Sequence, residues 1–160
     1  MDNYKEKRKY ERYGTEAEIF FSVSYDIKTV VKFQVVEERK TTDKKYSALS
    51  RDISIEGLNF TSDKKLKKGD LLLIELYPPG SKEPVYMGGE VAWCQPLPYK
   101  KDGKEIYQAG IKLISVNGKS VADSIYFDEK YQVMWSVVLE SVFGSFRLFV
   151  QKLKQSNAPQ

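Results

Sequence analysis

Apolar and polar residues alternate along most of the first three-quarters of the chain. From Glu16 to Tyr25, Ala17, Ile19, Phe21 and Val23 interleave with Glu16, Glu18, Phe20, Ser22 and Ser24. Side chains two apart share one face of a strand, so this stretch predicts a half-buried strand. Val30 to Glu37 is short and β-branched and predicts a second. Glu38 to Lys45 is charged and Thr-rich, as at a hairpin tip or loop. Tyr46 to Thr61 predicts one long strand or two, and Asp63 to Asp70, with four lysines and Gly69, a turn. Leu71 to Tyr77 is a strand closed by Pro78-Pro79-Gly80, which cannot continue a ladder. Val85 to Gln95 follows, ended by Pro96 and Pro98. Asp102-Gly103 within Lys100 to Lys104 then signals a hairpin before the strand Ile106 to Val116. Short strands with no helical period between them predict a mainly β fold, an antiparallel barrel or a sandwich.

The period changes after Asn117-Gly118. Tyr131, Met134, Trp135, Val138, Val142, Phe146, Phe149 and Leu153 recur at steps of three and four. This predicts a helix from Asp128 to Gln155, about 42 Å long, capped by Asp123 or Asp128. Gly144 inside it marks a place for a bend or break. Glu140 and Arg147 argue against a membrane span, because charges are costly in a bilayer core.

Two polar patterns stand out against this frame. The leader contains Arg8-Lys9-Tyr10-Glu11-Arg12, an R-x-x-x-R pattern, and Arg51-Asp52-Ile53-Ser54-Ile55-Glu56-Gly57 contains D-x-S-x-x-G. Strand spacing sets Asp52 and Ser54 side by side as an acceptor and a hydroxyl. Gly57 offers positive φ, a bulge, or room for an approaching group. Further on, Gly89-Glu90-Val91-Ala92-Trp93 and Ala109-Gly110-Ile111-Lys112-Leu113 form two glycine-bearing strands.

From about Lys7 to Val116 the pattern resembles the PilZ domain family, receptors for the bacterial second messenger cyclic di-GMP. The last two segments look like that family's G-x-V-x-W and G-I-x-F strands, with Leu113 in place of the aromatic. The gap from Arg12 to Asp52 is longer than in a compact member and suggests an added strand or long hairpin. The resemblance implies an antiparallel PilZ-type β-barrel of about six or more strands with a C-terminal α-helix. Residues 1–14 would be a flexible basic leader, 15–117 the barrel and 118–160 a helical extension. It also implies that the leader wraps the dinucleotide against the barrel, with Arg8, Arg12, Asp52, Ser54 and Gly57 as ligand-binding residues. Lys7 and Lys9 are candidates for phosphate contacts. Trp93 is a candidate stacking face, although a large strand aromatic also suits a core.

Cyclic di-GMP presents two phosphates and two guanines. An arginine can donate twice to guanine O6 and N7, or lie on a base face. A carboxylate such as Asp52 can accept from guanine N1–H and N2–H₂, or hold an arginine in place. Composition agrees with a binder. The 160 residues are 41% hydrophobic and 30% charged, a globular balance, and the formal charge of +4 suits an anionic partner. The chain has no His and one cysteine, Cys94. It therefore offers no thiol–imidazole pair and no zinc ligand set, and no constellation for catalysis or metal binding stands out. The expectation is a cytoplasmic, non-enzymatic receptor without cofactor, membrane span or nucleic-acid polymer as partner, signalling to a downstream protein. The alternative is a scaffold of the same fold that binds no nucleotide and acts through its C-terminal helix. Apolar residues around most of that helix (Trp135, Phe143, Phe146 and Phe149 among them) predict a homodimer or higher homo-oligomer.

Overall fold

The computed structural model describes residues 24–37, 40–41, 44–130 and 132–144. Eleven strands lie among them. β1 (Ser24–Asp26) and β2 (Val30–Glu37) precede a short β3 (Lys40–Thr41) that folds back on β2. β4 (Tyr46–Ser54) and β5 (Gly57–Ser62) carry the D-x-S-x-x-G pattern across their turn. β6 (Leu71–Leu76), β7 (Val85–Lys101) and β8 (Lys104–Val116) follow, and β9 (Lys119–Ser120) pairs with β8. The hairpin β10 (Tyr126–Asp128) and β11 (Val133–Trp135) leads into α1 (Val137–Phe143).

The order β4-β5-β8-β7-β6-β2, with β2 pairing again to β4, closes a six-stranded antiparallel barrel. Closure leaves its six strands without an open edge along their shared length. Alternation drives it. In β2, Val31, Phe33 and Val35 point inward, as do Leu72, Ile74 and Leu76 in β6 and Leu58 and Phe60 in β5. Phe33 stacks on Tyr46 and Phe60 at centroid distances of 5.5 and 5.1 Å. Leu113, at the position of the family's aromatic, is buried in this core.

β1 and β2 run along one edge of β4, interrupted at residues 27–29. The interruption is tied down by Ser50, which is buried. Its Oγ donates to the Ile27 carbonyl at 2.5 Å and accepts from Thr29 N at 3.0 Å. Beside it the register of β4 against β5 slips between Ser50 and Asp52. The extra residue turns Arg51 and Asp52 both away from the core.

β7 and β8 continue beyond the barrel as a two-stranded arm. Asp102 and Gly103, at φ 52° and 77°, form its two-residue turn, as the Asp-Gly pair predicts. Pro96 and Pro98 do not end β7, contrary to expectation. The arm has a free outer edge, where a missing N–H costs no ladder bond, and the register shifts between Pro96 and Lys100.

The C-terminal helix also differs from its prediction. Asp128 lies in β10 and Asp123 in a 3-10 turn, and neither caps α1. The cap is Ser136, and the helix stops at Gly144, where φ is 84°. Gln132, at φ 57°, turns the chain between β10 and β11. The apolar steps across Met134, Trp135 and Val138 therefore arise from an apolar strand followed by a helix. Trp135 is fully buried, and Phe143 packs on Tyr25 and Trp135, so neither forms an exposed patch. Residues 145–160 lie outside the described residues.

Candidate functional site

The register sets a row of residues across five strands. Asp26 pairs with Asp52, Asp52 with Asn59, Asn59 with Gly110, and Gly110 with Trp93. Their neighbours Ile53, Leu58, Phe60 and Ile111 face the core, so the row lies on the outer wall of the barrel. Asp52 and Ser54 share this wall on either side of buried Ile53, as strand spacing requires. Gly57 lies opposite Lys112 in the next row.

Each member has a local reason for its place. Gly57 has no positive φ, and a Cβ built there would lie 3.0 Å from Ser54 Oγ. Its bare backbone keeps the hydroxyl's surroundings open, which selects room among the three uses of a glycine at this point. Gly110 is more tightly constrained: a Cβ would fall 2.2 Å from Trp93 Nε1. The indole therefore lies flat against the glycine backbone, with 40% of its surface open to solvent. Trp93 is not a core residue.

The turn between Ser54 and Gly57 is held on two sides. Leu113 N donates to the Glu56 carbonyl at 2.8 Å. Ser136 Oγ donates to the Ile55 carbonyl at 2.6 Å while accepting from Val138 N at 3.2 Å. The cap of α1 is thus bonded directly to the motif turn.

The electrostatics centre on Asp52. Its pKa is raised, chiefly because burial disfavours the carboxylate and also because Asp26 repels it, while Arg51 pulls the other way. Beside it Asn59 Oδ1 accepts from Gln108 Nε2 at 3.0 Å, which leaves the Asn59 amide nitrogen as a donor. The wall thus combines a half-buried carboxylate, a hydroxyl, an oriented amide and an open aromatic face. Such a set can recognise a flat, donor-rich ring by stacking and edge hydrogen bonds. Among the described residues no group of three or more His, Cys, Asp or Glu side chains could hold a metal.

Of the sequence-predicted residues, Asp52, Ser54 and Gly57 lie at the β4–β5 turn, and Trp93 lies further along the row, against Gly110 of β8. Arg8, Arg12, Lys7 and Lys9 lie outside the described residues. Asn59 and Gln108 went unassigned in the sequence. Asn59 follows Gly57 by two and was readable from strand period. Gln108 needed the β5–β8 register.

These features define a closed β-barrel domain with its polar motif on the outer wall. The PilZ domain model matches residues 6–123, and the chain belongs to that family. No curated protein matches the sequence. Three solved structures are similar to it. The inhibitor of motility MotI/DgrA of Bacillus subtilis is 15% identical, with a TM-score of 0.47, over 86% of this chain and 52% of that one. The PilZ domain of YcgR from Escherichia coli, solved with c-di-GMP, is 5% identical, with a TM-score of 0.48, over 84% and 93%. PlzA of Borreliella burgdorferi, in complex with c-di-GMP, is 10% identical, with a TM-score of 0.44, over 91% and 57%. The chain thus spans little more than half the length of MotI/DgrA and PlzA. No helix among the described residues is long and apolar enough to cross a membrane.

Proposed function

We propose that this protein is a cytoplasmic cyclic di-GMP receptor whose leader orders around the dinucleotide and signals to a partner protein. The observation that carries the reading is the grouping of Asp52, Ser54 and Gly57 at the β4–β5 turn, with the open face of Trp93 further along the same row, in a chain of the PilZ family. Asp52 accepts from the Watson–Crick edge of one guanine, where adenine has no equivalent pair of donors. Ser54 adds a short hydrogen bond, and Gly57 lets the ligand reach the backbone. Trp93 stacks on a base. Arg8 and Arg12 close the site from the leader, contacting guanine O6 and N7 or a phosphate, with Lys7 and Lys9 adding phosphate contacts. The task is binding, with no catalytic step.

The bond from Ser136 to the motif turn supports a role for α1 in passing the signal on, since ligand contact at Ser54 and Gly57 adjoins the carbonyl that Ser136 holds. We further propose that two copies associate through apolar Phe146, Phe149 and Leu153. Isothermal titration of the intact chain with cyclic di-GMP tests the receptor reading. Saturable heat is expected, with GTP and cyclic di-AMP silent, and Asp52→Ala is expected to weaken binding and narrow the discrimination between the two cyclic dinucleotides. Absence of heat at micromolar protein would refute the receptor and leave the nucleotide-free scaffold.

A further inference from the structure

Away from the motif wall, a cleft of about 1140 Å³ opens between the free arm of β7 and β8 and the first half of β4. None of Asp52, Ser54, Gly57 or Trp93 lines it. Its floor includes Val30 and Leu49, cross-strand partners that are 46% and 50% exposed, and Tyr99 stands on the arm at 57%. Lysines surround this apolar floor. Lys45 is paired with Glu75 at 2.7 Å, and Lys104 with Asp63 at 3.6 Å. Lys44, Lys64 and Lys101 take part in no salt bridge among the described residues, and the first two stand 5.1 and 5.0 Å from the centroid of the Tyr46 ring.

We propose that this cleft docks an acidic segment of a partner protein that carries an aliphatic or aromatic anchor between its carboxylates. The anchor would cover Val30, Leu49 and Tyr99, and the carboxylates would meet Lys44, Lys64 and Lys101. Charge complementarity selects this occupant. Five lysines against Asp63 and Asp102 leave the lining at +3. The chain's own leader, residues 1–14, carries five basic residues against three acidic ones. Residues 145–160 carry three basic residues and no acidic one, so both ends are repelled. The acidic Glu16 and Glu18 precede Ser24, which pairs with Ser54 at the opposite end of β4 from Tyr46.

A nucleic-acid strand fits less well. Base stacking needs open aromatic faces. Here Tyr46 is already stacked on Phe33 and flanked by lysines, which leaves Tyr99 alone over an aliphatic floor. Asp63 and Asp102 would also repel a phosphate backbone.

The test uses the full chain and a fluorescein-labelled peptide of glutamates with one Leu and one Phe at its centre, read by fluorescence anisotropy. The peptide should bind, and Leu49→Ser, which leaves net charge unchanged, should weaken it about tenfold. The triple variant Lys44→Glu, Lys64→Glu, Lys101→Glu should abolish binding. A control with the same change in net charge but outside the cleft, Lys68→Glu, Lys82→Glu, Lys119→Glu, should alter it less than about twofold, because distant exposed charges are screened. Cyclic di-GMP titrations of the variants should match the parent, which separates the cleft from the nucleotide site. Equal losses in both triple variants, or no effect of Leu49→Ser, would overturn the proposal. So would tighter binding of an oligothymidylate or of phosphatidylglycerol vesicles, or a parallel loss of cyclic di-GMP binding in the cleft variants.

Discussion

Asp52 lies between Asp26 and Asn59, where burial, with a smaller push from the Asp26 charge, holds its carboxyl above the ordinary aspartate value of 3.8 against the pull of Arg51. A group whose folded pKa is raised contributes stability that is present below the unfolded pKa and lost as pH rises through the folded one. Asp52→Asn should therefore raise stability at neutral pH, and the gain should vanish below about 3.8 in urea titrations. Ligand binding has the opposite sign, since an acceptor must be ionised. Affinity for cyclic di-GMP should fall with decreasing pH at a higher pH than an ordinary aspartate would give. Asp26→Asn should move that fall to lower pH. Identical profiles for the parent and Asp26→Asn would show that the Asp26 charge does not reach the ligand. Gly110 supports a second prediction at this scale. Gly110→Ala cannot coexist with the present position of Trp93, so the indole must swing away. The cost in stability should be about 1–3 kcal/mol, and the lost stacking should weaken binding by a similar amount. Unaltered affinity in a folded Gly110→Ala variant would remove Trp93 from the site.

Among the elements, α1 depends on its cap, Ser136. Ser136→Ala removes both the helix cap and a side-chain tether between that helix and the motif turn, leaving Val138 N and the Ile55 carbonyl without those bonds. Urea denaturation should show a loss of about 1–3 kcal/mol. A loss under about 0.5 kcal/mol would mean that water replaces the hydroxyl. This region also shows where legibility in the sequence ended. Val30–Glu37 and the strand from Leu71 were readable because one face of each is buried and the other wet, so the alternation is written in the residues. In Val133–Trp135 the consecutive residues Met134 and Trp135 are both buried, so no alternation distinguishes it from a helix. Ser136 before Val137-Val138-Leu139 was a usable cap signal, but it falls inside the helix predicted from Asp128 and there reads as an interior residue. The prolines of β7 misled for the opposite reason: only the tertiary arrangement makes that stretch a free-edged arm.

For the whole molecule, the D-x-S-x-x-G pattern was legible because its spacing is local. The row from Asp26 to Trp93 was not, because it depends on the registers of β1, β4, β5, β8 and β7 and on bulges in β4 and β7. With Trp135 buried and Phe143 packed against it, the proposed association of copies turns on Phe146, Phe149 and Leu153. Light scattering should give a dimer for the intact chain and a monomer for Phe146→Ser/Phe149→Ser, and a monomeric parent would refute the association. The central claim is that cyclic di-GMP binds the outer wall around Asp52 and orders the leader over it. Hydrogen exchange read by mass spectrometry, with and without saturating cyclic di-GMP, tests both parts together. Protection is expected in peptides spanning Lys5 to Arg12, Asp52 to Asn59 and Trp93, with peptides across Lys44 to Leu49 and Tyr99 to Ile106 unchanged. Protection confined to those last two regions, or none anywhere at saturating ligand, would contradict the account.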